Sequence, residues 1–151
     1  MRKLLTTLSA LALTLSLSAC HQALTATTSL PPIVGTWLVK MPEAPFKYHM
    51  FTFHSDGTLL QSNPDAGDAN TSDSNGMGVW TPEGDTIKGK FVEVTADRTT
   101  RQFVSRGEIS FNVKATSSTF SGTASAIFYD LHGKVLHGPL AATLQGQRIT
   151  P

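Results

Sequence analysis

The sequence predicts an all-β domain, an antiparallel up-and-down β-barrel of eight strands, set behind a secretion signal and a tether. Three observations carry this expectation. From Ile33 onward apolar residues recur at every second position, which is the period of a strand and not of a helix. Ser55-Asp56-Gly57, Pro82-Glu83-Gly84-Asp85 and Leu131-His132-Gly133 separate such runs by so few residues that the flanking strands must run antiparallel. A chain of 151 residues with a single Cys holds one modest core and excludes a disulfide framework or a zinc site built on several thiolates.

The first segment is read as a signal peptide over residues 1–19. Arg2 and Lys3 form a basic start, and the apolar run from Leu4 to Leu17, 14 residues, is shorter than the roughly 20 that a membrane-spanning helix needs. Leu17-Ser18-Ala19-Cys20 resembles the bacterial lipobox, whose small residues admit the signal peptidase and whose Cys takes the lipid. The resemblance implies a mature chain that starts at Cys20 and is held to a bilayer by its acylated thiol. The alternatives are an ordinary signal peptide with a coincidental Cys, or a buried structural Cys. By similarity to enteric lipoproteins, His21 in place of an Asp after the Cys implies the outer membrane, facing the periplasm. Residues 20–32 follow as a tether, rich in Thr, Ala and Ser and closed by Pro31 and Pro32, which cannot continue a helix.

Residues 33–151 form the barrel domain. Its expected strands run from Ile33 to Lys40, Phe46 to His54, Thr58 to Ser62, Met77 to Thr81, Thr86 to Thr95, Arg101 to Ala115, Thr119 to Tyr129 and Lys134 to Ile149. The inward face of the sixth reads Phe103, Ser105, Gly107, Ile109, Phe111, Val113 and Ala115, because alternate residues share a face. On the seventh it reads Phe120, Gly122, Ala124, Ala126 and Phe128, and on the eighth Leu136, Gly138, Leu140, Ala142, Leu144, Gly146 and Arg148. So many small inward residues either permit sharp barrel bends or leave interior volume.

Gly35-Thr36-Trp37 at the start of the first strand resembles the Gly-x-Trp mark of the lipocalins and related calycins. In that family the Trp closes one end of the barrel and an Arg near the C-terminus lies across it, which implies Trp37 and Arg148 as the closing pair. The chain is also similar to small bacterial barrels of the allene oxide cyclase type. It departs from the lipocalin pattern in lacking a Thr-Asp-x-Tyr motif and an evident C-terminal helix.

Composition narrows function further. Twelve Lys and Arg against eleven Asp and Glu give +1, and ten basic residues without Arg2 and Lys3 give −1. No cationic surplus exists to track a phosphate backbone, so nucleic acid is not expected as a partner. His49 shares a face with Phe51 and Phe53, and these three with Trp80, Phe120 and Phe128 are the expected wall of a site for a small apolar ligand. A histidine satisfied within the core is the plainer reading of His49. The loop from Asn63 to Gly76 carries Asp65, Asp68, Asn70 and Asp73, a solvated acidic loop or a set of oxygen ligands for calcium. No nucleophile elbow, paired-carboxylate pattern, His-Glu-x-x-His run or phosphate loop is present, so no catalytic residue, metal or cofactor is assigned. The expectation is a lipid-anchored carrier of an apolar ligand. An envelope interaction module with a solid barrel, or a cyclase or isomerase, stands behind it.

Overall fold

The computed structural model describes residues 30–64 and 69–151. The signal segment, Cys20 and all but the last residues of the tether lie outside the described residues, as do Asp65 and Asp68 of the acidic loop. Nine strands are described, with no helix: β1 (Gly35–Lys40), β2 (Tyr48–Phe53), β3 (Thr58–Ser62), β4 (Thr71–Asp73), β5 (Gly76–Glu83), β6 (Thr86–Asp97), β7 (Phe103–Ala115), β8 (Thr119–Tyr129) and β9 (Val135–Arg148).

Eight of them close an antiparallel up-and-down barrel in the order β6-β5-β3-β2-β1-β9-β8-β7, with β7 returning to β6. The ninth, β4, is a short strand inside the expected acidic loop, paired with the outer end of β6. The hairpin between β5 and β6 is tighter than expected. β5 runs on to Glu83, which pairs with Thr86, and Gly84 at φ 61° supplies the left-handed turn.

The strands differ in length, and that difference shapes the molecule. β1, β2 and β3 hold 6, 6 and 5 residues, whereas β6, β7, β8 and β9 hold 12, 13, 11 and 14. One side of the barrel is therefore tall and the other low, because each strand residue adds only about 3.3 Å. At the end where β1 begins the walls are level and the interior is solid. At the other end the tall wall overhangs the low one.

The solid end is an aromatic cluster. Trp37, Phe51 and Phe53 are fully buried, and Trp37 meets Phe120 edge-on with centroids 5.1 Å apart. Phe53 meets Phe111, Phe120 and Trp80 at 5.9, 6.0 and 6.1 Å in the same edge-to-face manner. Each such pair contributes about 0.5–1.5 kcal/mol beyond the area it buries.

Glycines make this packing possible. Gly89 pairs across the sheet with Phe111, and Gly146 with Phe120. A Cβ on Gly89 would lie 2.2 Å from Phe111 Cζ, and one on Gly146 would lie 2.1 Å from Phe120 Cε1. The missing side chains are thus filled by neighbouring rings, an arrangement that supports glycine within a sheet.

Two expected inward runs are corrected at the tall rim. Phe103 is 37% exposed because β7 there has passed the barrel rim and a register shift separates Thr95 from Ala96 on its partner. Leu136 and Leu140 are likewise exposed, at 43% and 54%. A register shift places Phe128 opposite His137, and the alternation that holds from Ala142 to Arg148 does not extend back to these two.

Candidate functional site

At the overhung end the barrel holds a cavity of about 640 Å³, within the range of small-molecule sites. Its tall wall is Phe91, Ile109, Ala126, Phe128, Leu140 and Ala142, and its low side is closed by the segment from Met41 to Phe46 together with β4. Of the residues expected to line a ligand site, His49 and Phe128 reach this cavity. Phe51, Phe53, Trp80 and Phe120 do not line it, and that expectation is corrected. They belong to the aromatic cluster beneath, where the level walls bring opposite side chains within contact. Trp80 is further committed by its indole N–H, which sits 3.1 Å from both the His54 and Thr58 carbonyls.

The expected contribution of glycine is also corrected. A Cβ on Gly122 would fall 2.0 Å from the Asn112 carbonyl, and one on Gly138 2.5 Å from that of Ala126. Both are hemmed in by the neighbouring strand and add nothing to the cavity. Ala126 and Ala142 do add to it.

A polar wall faces the apolar one. His49 is buried, and its Nε2 donates to the Phe46 carbonyl at 2.8 Å, which turns Nδ1 toward Asn63 and Gln61. A chain of amides runs beside it, and its direction is set by one backbone group. The N–H of Gly76 can only donate, and it does so to Gln61 Oε1 at 3.1 Å. Gln61 must then present its Nε2, which donates to Asn63 Oδ1. Asn63 in turn donates from Nδ2 to Glu93 Oε2 at 3.1 Å. The chain ends on a carboxylate, and Oε1 of Glu93 has no protein donor among the described residues.

Burial pushes the Glu93 carboxyl above its ordinary range; the Asn63 N–H opposes this, and the charge of Asp73 adds to it. Asp73 accepts from Thr95 Oγ1 at 2.7 Å. At the rim, Glu43 is held below the ordinary range, chiefly by the backbone N–H of Thr143. Lys and Arg are absent from the described lining. Ion pairs among the described residues, such as Lys90–Glu108 and Lys114–Asp85, do not reach these three carboxylates.

Sequence reading missed Gln61, Asn63, Phe91 and Glu93, and placed Asp73 only in the acidic loop, not at this cavity. A usable signal was present for Glu93, since Ile87, Phe91 and Glu93 share the parity of the inward face of β6. For Gln61 the same parity links it to buried Leu59. Asp73 carried no such signal, because its position depends on β4 folding back along β6.

The opposite end is sealed by Trp37 and Arg148, which are direct partners across β1 and β9. The guanidinium lies 4.2 Å from the Trp37 ring centroid. It also donates to three carbonyls, from Nη1 to Val34 at 2.8 Å, from Nη2 to Pro32 and from Nε to Ser117. Gly35 gives this arrangement its room, having φ 135° and a Cβ position only 2.4 Å from Arg148 Nη1. The Gly-x-Trp segment therefore has a local physical reason.

Comparison with family models, with curated proteins and with solved structures returns no match. Among the described residues no three His, Cys, Asp or Glu side chains gather as a metal site.

Proposed function

We propose that this protein is a lipid-anchored lipoprotein of the bacterial envelope that binds or carries a small molecule with an apolar body inside its barrel. The supporting observation is the cavity of about 640 Å³ with an apolar wall of Phe91, Ile109, Phe128 and Leu140. A solid barrel serving only as an interaction surface would have no use for such a volume. In this reading the lipocalin-like closure by Trp37 and Arg148 makes the opposite end the ligand mouth. Cys20, acylated, would hold the chain to the outer membrane on its periplasmic side. Because the tether joins the barrel just before Trp37, the mouth would face away from the bilayer.

Native mass spectrometry of the full chain tests this. The expected spectrum carries an adduct of drug-like mass that disappears in Ala142→Phe, where a ring occupies the cavity. Absence of any adduct, together with failure of added apolar probes to bind, would refute the carrier reading.

A second reading, a cyclase or isomerase, is favoured by one observation: Glu93, a carboxyl of raised basicity, faces the same cavity. Turnover of an apolar substrate that is lost in Glu93→Gln would select it.

A further inference from the structure

From the charge of the cavity wall we infer that the ligand is a cation, an amine or related nitrogen group on an apolar body, with its nitrogen held by Glu93 and Asp73. The inference rests on the ligand-binding reading above and names the chemical class of the ligand.

The polar wall presents acceptors. Glu93 shows Oε1 without a protein donor, Asp73 stands beside it on β4, and Glu43 sits at the rim. No Lys or Arg of the described lining compensates them. From β2 and β3 the groups that face Glu93 are His49 and the Gln61–Asn63 amides, and those amides are polarised so that they stabilise its ionised form. On β7 its neighbour is Gly107, whose missing side chain leaves room for the carboxylate, since a Cβ there would lie 3.1 Å from Glu93 Cγ.

A neutral apolar ligand seated against this wall would strip water from a carboxylate and return nothing, and an anionic one would add repulsion. A protonated nitrogen supplies both the missing donor and the missing charge. The apolar remainder then has Phe91, Ile109 and Phe128 to cover it.

The test uses three probes of one shape: 2-(1-naphthyl)ethylamine, 2-(1-naphthyl)ethanol and 3-(1-naphthyl)propanoate. Equilibrium dialysis compares them at neutral pH on the full chain and on the full chain bearing Glu93→Gln or Asp73→Asn. The substitutions keep side-chain shape, and a single cooperative thermal unfolding transition at or above the parent's establishes that the variants are folded. The expected result is binding of the amine about tenfold or more above the alcohol, as for a hydrogen bond to a charged group, with the carboxylate weakest. That preference should collapse in Glu93→Gln and weaken in Asp73→Asn. Added salt should reduce amine binding and leave alcohol binding unchanged.

Alcohol or carboxylate binding as tight as the amine overturns the cation assignment while leaving the cavity reading intact. An amine preference that survives both substitutions overturns the placement on Glu93 and Asp73. Failure of all three probes overturns the inference and the ligand-binding reading together.

Discussion

Replacing Arg148 by Ala removes a contact set that joins three segments of the closed end. The guanidinium stacks 4.2 Å from the Trp37 centroid and bonds the carbonyls of Pro32, Val34 and Ser117. Hydrogen bonds from a charged donor contribute about 1.5–3 kcal/mol each when buried. This guanidinium is half-buried, so solvent screening cuts each of the three bonds to roughly half that low end, about 0.8 kcal/mol, with the stack adding about 0.5–1 kcal/mol. A loss of about 3 kcal/mol follows for Arg148→Ala. In a domain of this size that corresponds to roughly 10 °C in Tm. Arg148→Lys keeps the charge but not the planar fork, and should lose about half as much. Thermal unfolding followed by circular dichroism checks both variants. A drop below about 3 °C for Arg148→Ala, or a Lys variant indistinguishable from the parent, would refute the claim that geometry rather than charge holds this end together.

Other expectations can be tested alongside. Gly35→Ala places a Cβ 2.4 Å from Arg148 Nη1 at a φ of 135°, and should cost about 1–3 kcal/mol. Part of that cost should vanish in the Arg148→Ala background, measured as a double-mutant cycle by urea unfolding. Glu93→Gln should raise the urea midpoint at neutral pH. Burial raises the folded carboxyl's pKa, so the native state binds this proton more tightly than the unfolded chain. Its stabilising contribution is present below the ordinary carboxylate range and lost as pH rises through the raised value, so the gap between variant and parent should close toward about pH 4. Cys20→Ser should move the chain from the membrane fraction or leave its signal uncleaved. Unchanged membrane partition in that variant would remove the anchor from the account.

Much of the barrel was legible because strands have a period of two and hairpins need few residues. Ser105 to Val113 alternates inward and outward as read, and Trp37 and Arg148 are direct partners once closure of the sheet is required. What was not legible depends on strand ends. Phe103 and Leu136 have the parity of inward residues, yet both lie where the tall wall stands alone and a register shift resets the alternation. Phe51 and Phe128 are both inward aromatics, but one is sealed in the cluster and the other lines the cavity. The sequence does not distinguish them, because depth along the barrel axis depends on how eight strands stagger.

The sequence by itself determined the all-β class, the antiparallel order and the face of most side chains. These follow from local geometry, since alternation and turn chemistry act over a few residues. Only the tertiary structure decided where the interior is empty. The unequal strands β1–β3 and β6–β9 leave an overhang, and β4 folds back to bring Asp73 toward Glu93. It also decided that Gly76, Gln61, Asn63 and Glu93 form one directed chain of hydrogen bonds. Those residues stand up to 32 positions apart, from Gln61 to Glu93. No local rule couples them, because their meeting requires three strands to be in register at once.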